Sequence, residues 1–169
     1  MKAINSILVS ALVSGGLLMG ATSALAGTEK VINLSETAGY YDKKVIPANI
    51  RNECTELGSQ FTASTKKFME KGGYSVGLSP NMSKVEDGKF LKLTILTAQS
   101  GGNAFIGHRK SVSIEAELFK DGKLVDSYEA TRNSGGGFAG GFKGSCSVLA
   151  RCVTTLGKDV AKWMKKNDA

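Results

Sequence analysis

Alternation of apolar and polar residues predicts five strands. β-Branched and aromatic residues at every second position are typical of half-buried strands. The predicted strands are residues 31–34, 74–78, 90–98, 112–118 and 124–131. The fourth is the clearest, because Val112 to Leu118 alternates strictly between apolar residues and Ser or Glu.

Two other stretches have the apolar spacing of helices. The first runs from Pro47, which suits the first turn of a helix, to Gly72-Gly73, which suits its end. The second begins near Ser145 or Ser147, either of which can cap it. The apolar stripes are Ile50, Cys54, Leu57, Phe61, Phe68 and Met69 in the first helix and Leu149, Cys152, Val153, Leu156, Val160 and Trp163 in the second.

The order of these elements predicts an α+β fold. We expect a single antiparallel or mixed sheet of about five strands, with two helices packed on one face. An antiparallel meander is the arrangement we favour, because it buries every apolar stripe. No repeat or second domain is visible, so residues 27–169 are predicted to form one domain.

The turn at Lys120 to Lys123 predicts a hairpin, and the apolar pattern favours one register. A two-residue loop would pair Leu118 with Val125. A three-residue loop, with Gly122 in the left-handed conformation, keeps one face apolar and is favoured. It pairs Leu118 with Leu124, Ile114 with Tyr128 and Val112 with Ala130.

The first 26 residues are predicted to be a signal peptide. Lys2 precedes an uncharged apolar run from Ile7, which ends in Ala24-Leu25-Ala26 before Gly27. Several glycine and hydroxyl residues within the run argue against a membrane-spanning helix. We therefore expect cleavage after Ala26, a periplasmic location and no transmembrane segment in the mature protein. No lipid anchor is expected, since no Cys follows the cleavage point.

Removing 26 of the 169 residues leaves 143 with a net charge of +6, because the signal holds one Lys and no acid. Such a protein could face anionic lipid or a cell-wall polymer, but simple solubility is the favoured explanation of the charge. The basic residues are scattered, and only Lys162, Lys165 and Lys166 approach a patch. Lysines there also favour a helix C-terminus. We expect no nucleic-acid partner.

The three cysteines favour a structural disulfide over reactive thiols, because exported thiols tend to oxidise. Cys54 and Cys152 both lie on apolar stripes. A meander would make the helices antiparallel and hold these two apart, whereas bridged Cα atoms lie within about 7 Å. Cys146 and Cys152 would be about 9 Å apart in one helix. We favour a bridge from Cys54 to one of the two C-terminal cysteines, Cys146 or Cys152. Cys146 is the more reachable partner, because the flexible glycine-rich segment can carry it some distance.

That segment, residues 133–145, contains six glycines among thirteen residues. Backbone N–H groups before a helix can bind an anion, and the candidate ligand-binding residues are Gly136, Gly137, Phe138, Phe142 and Lys143. The order Phe142-Lys143-Gly144-Ser145 is not that of a phosphate loop. A flexible connection, with Phe138 and Phe142 holding it to the sheet, is the favoured interpretation.

Catalytic signals are weak. His108 is the single histidine and is followed by Arg109 and Lys110 rather than an acidic residue. Glu115 and Glu117 alternate with apolar residues, as a solvated strand face does. There is no Gly-x-Ser-x-Gly motif and no Cys-x-x-Cys motif. We expect no metal, no cofactor and no enzymatic activity, with a Cys146 or Cys152 enzyme using His108 as a remote alternative.

The run from Leu91 to Trp163 resembles an uncharacterised family of small exported bacterial proteins. These share a strand pair, a Ser-Gly-Gly-Gly connection and an amphipathic C-terminal helix. The arrangement is also similar to the anticodon-binding-like domain of periplasmic proteins, such as activators of penicillin-binding proteins, the curli secretion channel and the N-terminal part of TolB. The resemblance implies a non-catalytic adaptor. Several relatives carry lipid anchors, which this sequence lacks.

Two functions therefore stay open. The leading expectation is a non-catalytic periplasmic binding or envelope-assembly module with an envelope protein as its partner. The alternative is a binder of an anionic envelope ligand through the glycine-rich loop 134–145.

Overall fold

A computed structural model describes residues 31–80, 88–103, 107–134 and 144–167. These residues form a mixed sheet with helices, which confirms the predicted α+β class. In chain order the elements are β1 (Val31–Ser35), β2 (Gly39–Tyr40), α1 (Ala48–Glu53), α2 (Leu57–Lys71), β3 (Ser75–Ser79), β4 (Lys89–Asn103), β5 (Gly107–Lys120), β6 (Lys123–Ser134) and α3 (Ser145–Asn167).

The strand order corrects the predicted meander. The order is β3-β1-β4-β5-β6, with the short β2 also paired to β4. β1 lies parallel to both β3 and β4, and its Ile32 and Leu34 are fully buried. Only β4, β5 and β6 form an antiparallel meander. The apolar pattern indicated these strands but not their direction, because a buried strand is equally apolar in either orientation.

The parallel strands around β1 change the relative direction of the two long helices. Because β3 and β4 run the same way, the chain reverses an even number of times between α2 and α3. Contacts follow one another in the same order along both helices: Cys54 bonds Cys146, Ser64 Oγ donates to the Thr154 carbonyl at 2.9 Å, and Phe68 and Lys71 face Lys158 to Lys165. The helices are therefore parallel, and the antiparallel packing expected from a meander is wrong.

The hairpin between β5 and β6 does not have the predicted three-residue loop. Asp121 (φ 49°) and Gly122 (φ 72°) are both left-handed, which defines a two-residue type I′ turn with Lys120 opposite Lys123. A bulge follows, so that Leu118 pairs with Asp126, Ile114 with Ala130 and Val112 with Arg132. The bulge adds one residue to β6, and this extra residue keeps Tyr128 and Ala130 on the face that was predicted to be buried.

The helices cover one face of the sheet. α2 packs on β1 and β3, while α3 packs on β5 and β6. At the far end of α3, Trp163 stacks on Tyr128 and its Nε1 donates to Asp126. The opposite face carries mainly polar side chains, as antiparallel sheets with one solvated face do.

Gly157 allows α2 and α3 to approach each other closely. A Cβ atom at this position would lie 2.7 Å from Ser64 Oγ and 2.7 Å from the Thr65 backbone nitrogen. These distances are far below van der Waals contact, so a side chain here would push the helices apart.

We predict that Gly157→Ala destabilises the protein by about 1–3 kcal/mol through overpacking. In an ordinary helix interior the same change would stabilise the protein by about 1 kcal/mol. The sign of the change in the free energy of unfolding therefore distinguishes close helix packing from an unconstrained helix position. Chemical denaturation measures the difference. Gly101→Ala is the control, because a Cβ there meets nothing within 4 Å; equal stability of the two variants would contradict the packing argument.

Candidate functional site

The predicted anion site in the glycine-rich segment lies outside the described residues. This holds for Gly136, Gly137, Phe138, Phe142 and Lys143 alike. The structure gives only the two ends of the connection, where β6 ends at Ser134 and α3 begins at Ser145. Ser145 Oγ lies 2.8 Å from Ser100 Oγ, which holds the start of α3 against β4. The segment therefore stays a predicted site.

The three cysteines have separate environments. Cys54 and Cys146 form a disulfide with a Cα–Cα distance of 5.2 Å, as predicted, across 92 residues of sequence. Cys152 is a free cysteine and is buried. Burial raises the pKa of its thiol, which disfavours the reactive thiolate. A nucleophile at Cys146 or Cys152 therefore has no support in the structure. The side chain of His108 lies outside the described residues.

Parallel packing brings lysines of both helices to one groove. The lysine groove, of about 200 Å³, lies between the C-terminal halves of α2 and α3. Its lining residues are Phe68, Lys71, Gly72, Lys158, Ala161, Lys162 and Lys165. The Nζ atom of Lys71 lies 5.8 Å from the centroid of the Phe68 ring. All four lysines are exposed, and none has an ion-pair partner within the described part of the chain.

The nearby acidic residues are paired away from this groove. Glu70 forms an ion pair with Lys66, whose Nζ also donates to the Val76 carbonyl of β3. Asp159 pairs with Arg132 of β6 at 2.7 Å, and this hydrogen bond raises the pKa of Arg132. Neither carboxylate lines the groove, so neither offsets the charge of its four lysines.

Sequence reasoning identified only part of this cluster. Lys162 and Lys165 were recognised on the last turns of α3, together with Lys166. Lys71 and Lys158 were missed, because their grouping depends on α2 and α3 being parallel. The spacing Lys158, Lys162, Lys165 places three lysines on one helix face, and this spacing was a usable signal for Lys158.

A second groove lies on the uncovered face of the sheet. This sheet groove, of about 610 Å³, runs between β4 and residues 35–41. It is lined by Ser35, Gly39, Tyr40, Tyr41, Phe90, Lys92, Leu93, Thr94, Glu115 and Glu117. Tyr40 also packs against the core, and burial raises the pKa of its hydroxyl. The volume is within the range of ligand pockets.

Neither groove has the composition of a metal site. Over the described residues, no three or more His, Cys, Asp or Glu side chains are grouped so that they could hold a metal ion. In the same part of the chain, no helix has the length and apolar character needed to cross a membrane.

No protein family matches the sequence, and no curated protein does so either. Solved structures share the fold. PelC from Paraburkholderia phytofirmans, a dodecamer, superposes with a TM-score of 0.50 at 14% identity, over 77% of this chain and 87% of PelC. A Xanthomonas campestris protein of the DUF330 family gives 0.50 at 10% identity, over 80% of this chain and 83% of its own.

At such low identity, these likenesses show the fold alone. Neither neighbour is an activator of penicillin-binding proteins, a curli channel or TolB, which were the proteins named from the sequence. These two structures therefore do not support the resemblance to the anticodon-binding-like domain of periplasmic proteins.

We predict that the Cys54–Cys146 bridge is a major contribution to stability. In the chain-entropy model, closing a loop of this length contributes about 4–5 kcal/mol. Cys54→Ser with Cys146→Ser should lower the free energy of unfolding by that amount, measured in urea. Cys152→Ser leaves the bridge intact and is the matched control.

Thiol counting tests the same assignment directly. Iodoacetamide should label no cysteine in the native protein, one in denaturant and all three after reduction. A non-reducing peptide map that links Cys152 to either other cysteine would contradict the assignment.

Proposed function

We propose that this protein is a non-catalytic module of the bacterial envelope that binds an anionic phospholipid surface through its lysine groove. The observation that carries the proposal is the convergence of Lys71, Lys158, Lys162 and Lys165 at one groove, whose lining includes no acidic side chain among the residues that the structure describes. A cluster of four or more lysines on an amphipathic surface is typical of binding to anionic lipid.

The geometry of the groove fits a charged surface. Lys158 and Lys165 are about 10 Å apart along α3, and α2 lies one helix diameter away. Four positive charges thus occupy a compact area on the outer layer of the molecule. Ion pairs hold the carboxylates of Glu70 and Asp159 outside the lysine groove. Among the described residues, the groove therefore presents lysines alone as its charged groups.

Helix polarity gives a simpler explanation of part of this charge. The C-terminal ends of α2 and α3 lie side by side, and each end carries a partial negative charge that lysines offset. Stabilising the helices requires positive charge near each C-terminus, but it does not require that lysines of both helices line one groove. The experiment must therefore measure binding and folding separately.

The glycine-rich loop stays the alternative anion site. Lys143 precedes the N-terminus of α3, while Lys162 lies about 25 Å further along the helix axis from Ser145. Substitutions of Lys143 and of the groove lysines can therefore be made and measured separately. An oligomer is also part of the proposal for envelope assembly, since PelC, which has this fold, is a dodecamer.

We predict that the mature protein sediments with vesicles containing phosphatidylglycerol and not with pure phosphatidylcholine vesicles. Replacing Lys71, Lys158, Lys162 and Lys165 by Gln should weaken binding roughly a thousandfold, since each lysine near the surface contributes about 1 kcal/mol. Raising the salt from about 0.1 M to about 0.5 M should release the wild-type protein.

The control variant replaces four exposed lysines elsewhere, Lys43, Lys44, Lys120 and Lys123, and has the same net charge. It should bind vesicles nearly as well as the wild type, and circular dichroism should show that both variants fold. Equal losses in the two variants would mean that net charge alone drives binding. A loss confined to Lys143→Gln would assign the site to the glycine-rich loop instead.

A further inference from the structure

One carboxylate of the sheet groove, Glu115, belongs to a like-charged pair that the fold itself does not require. Glu115 of β5 lies directly opposite Glu129 of β6. Residues opposite each other in an antiparallel ladder have Cβ atoms about 5 Å apart, and like charges there are destabilising. Neither carboxylate has an ion-pair or hydrogen-bond partner in the described part of the chain.

The neighbouring carboxylate is already neutralised. Glu117, on the same face, accepts a hydrogen bond from Lys92 Nζ at 2.6 Å. The groove therefore carries one uncompensated negative charge, at Glu115, in a protein whose net charge is +7. Such a local conflict between neighbouring residues is expected where function, rather than stability, determines the residue.

The hydroxyl of Thr94, which lies next to Glu115, adds a neutral hydrogen-bonding group to the groove. Thr94 lies opposite Glu115 across the β4–β5 ladder, lines the groove and is only 7% exposed. Its hydroxyl has no hydrogen-bond partner within the described residues. The hydroxyl oxygen is therefore available to accept a hydrogen bond from a donor bound in the groove.

Aromatic side chains form the apolar part of the groove. Phe90 stacks on Phe119 with ring centroids 5.8 Å apart, which holds it in place. Tyr41 lines the groove and is 76% exposed. Aromatic faces attract cations as well as apolar groups.

We propose that the sheet groove binds a small amphipathic amine. The ammonium group is paired with the Glu115 carboxylate and donates to the Thr94 hydroxyl, while the apolar body of the ligand lies against Phe90 and Tyr41. The site is on the sheet face opposite the helices, and it is independent of the proposed lipid-binding function.

Phenethylamine is the probe that tests this site, with phenethyl alcohol as its neutral counterpart. We expect the amine to bind with a Kd of roughly 1 mM. An NMR titration should show this binding as chemical-shift changes at the backbone amides of Gly39, Thr94 and Glu115. The alcohol should bind at least about tenfold more weakly, because it lacks the charge-assisted contact. Equal affinities for the two probes, or shifts confined to other residues, would overturn the proposal.

The two glutamates provide matched variants. Glu115→Gln and Glu129→Gln both relieve the like-charge pair, so each should raise the Tm of the free protein by about 1–3 °C. Only Glu115 lines the groove, so Glu115→Gln should weaken amine binding about tenfold while Glu129→Gln retains most of it. The proposal is wrong if amine binding is unaffected by Glu115→Gln or falls equally in both variants.

Discussion

The position of β1 between two parallel strands is the constraint on which the rest of the structure depends. β1 pairs with β3 on one side and β4 on the other, and its inward side chains are fully buried. This arrangement sets α2 and α3 parallel. The parallel helices in turn bring Cys54 to Cys146 and place the lysines of two distant segments on one groove. A hairpin between β3 and β4 would have separated all of these groups.

The two layers of the molecule differ in electrostatic character. Two acidic residues of the helices are neutralised by ion pairs outside the lysine groove: Glu70 pairs with Lys66 within α2, and Asp159 pairs with Arg132 of β6. The uncovered sheet face has an acidic centre at Glu115 and Glu129, with Glu117 held by Lys92. Each layer thus presents a distinct chemistry, and the two proposed ligands carry opposite charges.

Local patterns predicted the elements well, while long-range pairing limited the rest. Alternation from Val112 to Leu118 indicated β5, and the helix periodicities indicated α2 and α3. The disulfide was predicted correctly although the helix direction was wrong, because the pairing of β1 with β3 and β4 has no local sequence signal. The sheet groove was not predicted. The sequence pattern indicates only that Glu115 is a solvated strand residue, and the groove exists because the fold places residues 35–41 beside β4. The glycine-rich segment stays a prediction.

The contacts between α2 and α3 also constrain how the chain reaches its native state. Ser64 and Thr154, which hydrogen-bond across the two helices, are 90 residues apart in the sequence. Closing so long a loop is entropically unfavourable, and topologies rich in such contacts fold slowly. In the folded protein, α3 docked beside α2 holds Cys54 and Cys146 within bonding distance. We therefore expect this pair to oxidise late in maturation, so that the bridge stabilises a fold that the sheet and helices have already formed.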